Sequence, residues 1–333
     1  LISHIMSTFY GDFMFLKKTR SNNHIYLSFV ETFREKGKVR HRTLFKLGRL
    51  DQLKANNQLK RLTESFQKLI NSNKTFSLEN LKEFEIEFIN KSCGEITLED
   101  IGEIDGIFHI GIYSSSPMYK EDRSLVGKAI NDFLNILELA RRENCKIVFA
   151  SSSSIYNGNP VPWREDMAIK VTDFYTEARY AMERLADLYH QLHSVEWIGL
   201  RFFSVYGPKE RYKGKYANLV SQFLWAMKKN ETPVIYGDGE QRRDFIYVKD
   251  VVNACVLAME SNKIGVFNVG TGKDYSLNEL IDILNDTLEK NIEPKYVENP
   301  IKNYVQNTKA NTEKAKKEDG FEYKYSLKEG IEK

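Results

Sequence analysis

The chain has 333 residues, 41% of them hydrophobic, and a formal net charge of +3 at pH 7. That apolar fraction excludes a disordered chain, and at about 100–200 residues per domain the length predicts two domains, or one large domain with an appendage. No run of about 18 apolar residues occurs, so no membrane-spanning helix is expected.

The first thirty residues hold no basic segment followed by an apolar run and a small-residue cleavage site, so no secretory signal is expected. Charge is uneven: residues 1–60 carry twelve Lys/Arg against four Asp/Glu, and the remainder is net acidic. Such asymmetry points to two parts with different partners, the simpler alternative being a solvated basic face. Residues 24–32 and 39–47 are rich in β-branched and aromatic residues. They flank the polar turn Glu35-Lys36-Gly37-Lys38, which predicts a hairpin. Leu53, Leu59, Leu62, Phe66 and Leu69 then recur at helical spacing. Residues 71–80 are polar and turn-prone. A boundary there divides the chain into a basic segment, 1–75, and a second domain, 80–333.

Beyond residue 84 the pattern alternates. Ile104–Ile112 contains a short apolar run suited to a buried strand, and Leu125–Arg142 is an amphipathic helix. Lys146–Ser151 is a second buried strand. Thr176–His193 is helical, with Ala181, Leu185, Leu188 and Leu192 on one face, and Trp197–Phe203 is a strand again. This order predicts βαβ units in a mostly parallel sheet, with sites beyond the strands' carboxyl ends. The last thirty residues are rich in Lys and Glu and read as a surface helix or a frayed tail. Cys93, Cys145 and Cys255 share no metal-ligand spacing. No metal site is expected, and the odd, dispersed set implies reduced, cytoplasmic thiols.

Three stretches carry chemistry. Ala150-Ser151-Ser152-Ser153-Ser154-Ile155-Tyr156 closes a predicted strand, which puts hydroxyls at the sheet's carboxyl edge. In Tyr175-Thr176-Glu177-Ala178-Arg179 a tyrosine and a cation share a helix face four residues apart. A cation there favours the phenolate, which suits the tyrosine to proton exchange with a sugar hydroxyl. Gly237-Asp238-Gly239-Glu240-Gln241-Arg242-Arg243-Asp244 supplies a Gly-rich turn and a guanidinium suited to bidentate phosphate binding. Alternatives stand beside these assignments. Ser152 can cap a turn, Tyr175 can be a surface aromatic, and Arg243 can belong to a surface ion pair. Asp238 and Asp244 read as turn and packing residues.

In order along the chain, these stretches join Phe108-His109-Ile110-Gly111-Ile112, Arg201-Phe202-Phe203-Ser204-Val205-Tyr206-Gly207-Pro208 and Phe267-Asn268-Val269-Gly270-Thr271-Gly272. Together they resemble the NAD-dependent nucleotide-sugar epimerase/dehydratase family of extended short-chain dehydrogenases, over roughly residues 84–330. The resemblance implies an α/β fold with a Rossmann-like parallel sheet and a small C-terminal substrate-binding subdomain. It implies that Tyr175 takes a proton from the sugar C4 hydroxyl while the C4 hydride passes to NAD. The 4-keto sugar then turns over, and the hydride returns to its other face. Ser152 would hydrogen-bond the reacting oxygen, with Arg179 as the third catalytic position. His109, Gly111, Ala150, Ser151, Tyr175, Arg179 and Phe202 would contact the cofactor. Ser153, Ser204, Asn218, Tyr236 and Arg243 would contact the nucleotide sugar, Arg243 at its diphosphate. Dehydratases of the family carry an Asp-Glu pair where Ser153 and Ser154 stand here, so the resemblance favours a 4-epimerase of the UDP-glucose/UDP-galactose type. It also implies a homodimer built on helices 125–142 and 176–193.

The sequence departs from that family in three ways. Position 179 is Arg where the family has Lys, and the two are not interchangeable. Ser204 replaces the Asn of Arg-Phe-Phe-Asn. No Gly-x-x-Gly-x-x-Gly turn precedes Phe108, so the NAD pyrophosphate loop and the first βαβ unit are expected to be missing. In its place, from Met14-Phe15-Leu16-Lys17-Lys18 through Gly48-Arg49-Leu50-Asp51-Gln52-Leu53, the chain is similar to the N-terminus of certain insertion-sequence transposases. Such a segment can contact DNA phosphates through residues 14–60. Two alternatives to an active epimerase therefore stay open: a chimeric pseudoenzyme that cannot hold NAD, and a nucleic-acid-binding N-terminal module.

Overall fold

The computed structural model describes residues 14–21, 24–35, 38–49, 89–300 and 304–333. The predicted helix at Leu53–Leu69 and the boundary at 71–80 lie outside the described residues. The predicted hairpin is present as β2 (His24–Glu35) and β3 (Lys38–Arg49), antiparallel, with Glu35 opposite Lys38. A strand the sequence reading did not single out, β1 (Met14–Ser21), adds to β2 with Ser21 opposite His24.

The chain divides into two compact units. The first holds the described residues up to Tyr113 together with 127–149 and 184–197. It contains α1 (Leu98–Ile101) and β4 (Gly106–His109), which is shorter than the predicted run because only four residues find a partner strand. β4 pairs in parallel with β5 (Lys146–Ser152), Gly106 opposite Lys146. Between α2 (Ser116–Glu121) and β5 runs α3 (Leu125–Glu143). Its buried residues Ala129, Phe133, Ile136, Leu137 and Ala140 recur at three- and four-residue steps, which makes one apolar stripe. Phe133 meets Phe149 at 4.9 Å between ring centroids, and Phe149 stacks on Trp197 at 5.9 Å. β5 is buried along its whole length, as a central parallel strand must be.

The second unit contains α2, the end of β5, the start of α4 (Phe174–His193), most of β6 (Trp197–Phe202) and everything beyond. β11 (Gly265–Val269) pairs in parallel with β6, and the sheet order is β11-β6-β5-β4 among the described residues. β7 (Ser204–Tyr206) pairs in parallel with β10 (Phe245–Tyr247). Around them pack α5 (Leu219–Lys228), β8 (Val234–Tyr236), β9 (Arg242–Arg243), α6 (Val248–Glu260), β12 (Tyr275–Ser276), α7 (Leu277–Leu288) and β13 (Lys295–Val297). Val220, Phe223 and Met227 of α5 close one core with Leu277, Leu280, Ile281 and Leu284 of α7. Of the two alternatives expected at the C-terminus, the frayed tail is corrected and the surface helix is present, though anchored by a few buried residues. Residues 304–333 form α8 (Glu313–Asp319) and α9 (Leu327–Ile331), and Ala310, Ala315, Phe321 and Leu327 are buried. Their many Lys and Glu residues masked a sparse apolar set spaced widely enough to escape periodicity.

Asp244, between β9 and β10, is fully buried. Its carboxylate accepts the Thr271 N–H at 2.8 Å, the Thr271 hydroxyl at 2.7 Å, the Gly272 N–H at 2.9 Å and the Ala310 N–H at 3.0 Å. Burial pushes its pKa up, and these donors pull the other way. This is the packing role expected for Asp244. Asp244→Ala strands three backbone N–H groups, and urea denaturation is expected to show a loss of about 2 kcal/mol or more.

Candidate active site

The end of β5 brings Ala150, Ser151 and Ser152, all buried, to the carboxyl end of the strand. The chain then enters a single turn, Ser153–Tyr156, and the Ser152 hydroxyl caps it by accepting the Ser154 N–H at 3.2 Å. The capping role is therefore real. It uses only the oxygen's acceptor capacity, and the hydroxyl hydrogen is left to donate.

α4 starts at Phe174, two residues before the expected position. The Asp173 carboxylate accepts the Thr176 N–H at 2.8 Å, and the Thr176 hydroxyl accepts the Asp173 N–H at 3.1 Å. This reciprocal cap satisfies two orphan donors and sets the helix start. Ser116 of α2 adds a bond to the same carboxylate at 2.5 Å. Tyr175 thus sits in the first turn. It is 8% exposed, and its ring meets Tyr119 edge-on at 5.6 Å between centroids. It is not a surface aromatic. One turn on, the buried Arg179 places its guanidinium carbon 5.1 Å from the centre of the Tyr175 ring. Its Nη1 also donates to the Ala150 carbonyl at 2.8 Å. The expected tyrosine–cation pair is present, as a cation against a ring.

The next turn carries a residue the sequence reading missed. Glu183 is 4% exposed and receives a fork from Arg201 of β6, also 4% exposed: Nε to Oε1 at 2.9 Å and Nη2 to Oε2 at 2.7 Å. The Ser151 hydroxyl donates to Oε1 at 2.5 Å. Arg201 Nη1 donates to the Tyr156 hydroxyl at 2.5 Å, which donates in turn to Asn268 Oδ1 at 2.9 Å. Burial works against the Arg201 charge, yet Glu183 holds its pKa above the ordinary value. Burial likewise pushes the Tyr156 phenol up, partly offset by Arg201. The available signal was Arg201 itself, a lone cation in the apolar run Trp197–Phe203, which cannot be buried unpaired.

The remaining expected residues are more dispersed. His109 ends β4 in the first unit, buried beside Phe133 at 5.3 Å, and Gly111 lies two residues beyond. Ser153 is buried in the turn after β5. Phe202 ends β6 opposite Val269, and the Ser204 N–H donates to the Asp244 carbonyl at 3.0 Å. Asn218 caps α5, its Oδ1 accepting the Val220 N–H at 3.1 Å. Glu210 in turn accepts the Asn218 N–H at 3.1 Å and a bond from the Ser221 hydroxyl. Tyr236 is exposed at the end of β8. Gly237 and Gly239 adopt φ of +81° and +83°, so the Gly-rich turn uses the conformation only glycine enters freely.

Arg243 makes no ion pair among the described residues. Its guanidinium donates to the carbonyls of Val305 at 2.6 Å and of Gln306 and Arg242 at 2.8 Å each, and lies 5.2 Å from the Tyr304 ring centre. Burial pulls its pKa down. Among the described residues no His/Cys/Asp/Glu cluster is arranged for a metal, and no helix is long and apolar enough to cross a membrane. Arg243→Ala leaves the Val305 and Gln306 carbonyls without this donor, and is expected to lower stability by about 1–3 kcal/mol in urea denaturation of the unliganded protein.

Comparison with known proteins gives two family matches. Residues 49–270 match the NAD dependent epimerase/dehydratase family. Residues 16–75 match the N-terminal domain of the IS1634 family transposases. A putative UDP-glucose 4-epimerase of Methanocaldococcus jannaschii is 32% identical over 286 residues, 82% of this chain and 91% of that protein. The structure of a UDP-N-acetylglucosamine 4-epimerase from Methanobrevibacter ruminantium, in complex with UDP-N-acetylmuramic acid, superposes with a TM-score of 0.72 at 29% identity. The match covers 78% of this chain and 86% of that one. A UDP-glucose 4-epimerase from Thermotoga maritima with UDP-glucose gives 0.71 at 28% identity, with the same coverage.

Proposed function

The chain belongs to the NAD-dependent epimerase/dehydratase family, and from that premise we propose that it inverts C4 of a UDP-hexose of the glucose/galactose type. The observation that carries this reading is the buried grouping of Tyr175, Arg179 and Ser152 at the carboxyl end of β5. Tyr175 exchanges a proton with the C4 hydroxyl. Ser152 donates its remaining hydrogen to the same oxygen, which strengthens as negative charge builds there. Ser153 and Ser154, where an elimination would need carboxyl groups, favour epimerisation over dehydration. Arg243 and Ser204 are the proposed diphosphate contacts, and Asn218 is a further proposed contact to the nucleotide sugar.

The donor set fits the nicotinamide end of NAD: a phenol, the Ser152 hydroxyl and a cation, held out of water beside the Ala150 carbonyl. Tyr175, Arg179 and the backbone at Ala150 would hold it there, whereas the Ser151 hydroxyl, expected at the cofactor, spends its hydrogen on Glu183; NAD when bound supplies the hydride acceptor. Arg179 already spends one donor on Ala150, so its role towards the cofactor is narrower than that of the family's Lys.

The test is chromatographic: the full chain with added NAD and UDP-glucose is expected to form UDP-galactose. Tyr175→Phe is expected to lower kcat by about 100-fold or more with little change in UDP-sugar affinity. Absence of C4 inversion by the native chain at millimolar NAD overturns the proposal, and retained UDP binding in that case identifies the pseudoenzyme. A homodimer is part of the same reading, because α4 leaves Leu188 and Leu192 exposed, 44% and 66%. Light scattering is expected to give twice the chain mass, and Leu192→Lys to shift it to the monomer.

The match at residues 16–75 and the local excess of basic residues support a second reading, that this segment binds nucleic acid. The full chain is then expected to retain duplex DNA at low salt and to lose it steeply as salt rises, through counterion release. No retention at low salt removes this reading.

A further inference from the structure

Tyr175, Arg179 and Glu183 follow one another at i, i+4 and i+8, so they share one face of α4. Two of the three reach the end of β5: Arg179 at the Ala150 carbonyl and Glu183 at the Ser151 hydroxyl. We infer that Glu183 and Arg201 are positioning residues, which through Ser151 set the place of Ser152 relative to Tyr175; this rests on the function proposed above.

Neither member of the pair needs to touch a substrate for this. Glu183 lies about two helical turns from Tyr175, and at 1.5 Å per residue that is roughly 12 Å along the axis. Its carboxylate is held from both sides. The bidentate Arg201 fork fixes the plane of the group, and the Tyr156–Asn268 bonds anchor the far side of Arg201. A carboxylate fixed in this way is a rigid post, and the Ser151 hydroxyl is tied to it at 2.5 Å. Ser152 is the next residue, and along a strand its side chain points to the opposite face. Fixing Ser151 therefore fixes the direction in which the Ser152 hydroxyl leaves the strand. Reaction rates fall steeply when reacting groups are misplaced by about 1 Å, so this tie acts on turnover rather than on binding.

The separable element is the Ser151 hydroxyl. Ser151→Ala cuts the tie and leaves the Glu183–Arg201 pair charge-compensated, so the fold is retained, whereas removing either charge strands its partner. The experiment measures C4 epimerisation with UDP-glucose and NAD each varied while the other is saturating. For Ser151→Ala, kcat is expected to fall about tenfold, with KM values for UDP-glucose and NAD and the thermal midpoint close to native. Ser151→Thr, which keeps the hydroxyl, is expected to recover most of the loss. A native kcat in Ser151→Ala, a loss confined to KM, or no recovery in Ser151→Thr overturns the inference. Should the native chain not turn over UDP-glucose, the functional reading has failed by itself. The tie is then judged by amide hydrogen exchange of residues 150–156 and 174–179. Faster exchange confined to these segments in Ser151→Ala supports the inference, and unchanged exchange overturns it.

Discussion

A buried ion pair organises the second unit. Glu183 and Arg201 lie on a helix and a strand 18 residues apart, and neither charge tolerates burial without the other. Their burial commits α4 and β6 to one relative placement, since a fork admits little rotation or sliding. One connected part of the polar interior hangs on this contact. Ser151 reaches it from β5, Tyr156 from the turn that follows, and Asn268 from β11 by way of Tyr156. Three adjacent strands are thereby cross-linked by side chains as well as by backbone bonds.

This arrangement explains why much of the molecule was readable from sequence and why its hub was not. Strands β5 and β6 and helices α3 and α4 showed themselves because burial imposes a period on apolar residues, and an interior strand has no polar face to dilute it. The (i, i+4) pairing of Tyr175 with Arg179 was legible for the same reason, since both lie on one element. Glu183 was not legible. On a helix that also carries Glu177, Arg184 and Asp187, an acidic residue reads as solvent-facing. Only its partner on another element reveals otherwise, and no rule of spacing links the two.

Arg243 shows a contact of another kind that spacing does not announce. Its local context, a Gly-rich turn followed by two arginines, reads as a loop offering cations outward. The fold instead brings residues 304–308 alongside β9, Arg242 bridging Asn307, and the guanidinium finds three carbonyls within reach. That contact spans about sixty residues, and the partner segment has neither apolar periodicity nor charge to announce it. Arg243 thus holds the C-terminal segment against the Gly-rich turn, whatever else it binds.

Asp244 has a further consequence, for the order in which the molecule is made. One of its four donors, the Ala310 N–H, lies 66 residues downstream, and Thr271 and Gly272 lie 27 and 28 downstream. During synthesis from the N-terminus this carboxylate emerges well before the groups that make its burial tolerable. Until they follow, the chain must keep Asp244 in water, and β9 and β10 cannot settle against β7 and β12. At about 5–20 residues per second on the ribosome, the wait lasts several seconds. The second unit therefore cannot close around Asp244 until the segment carrying Ala310 has followed.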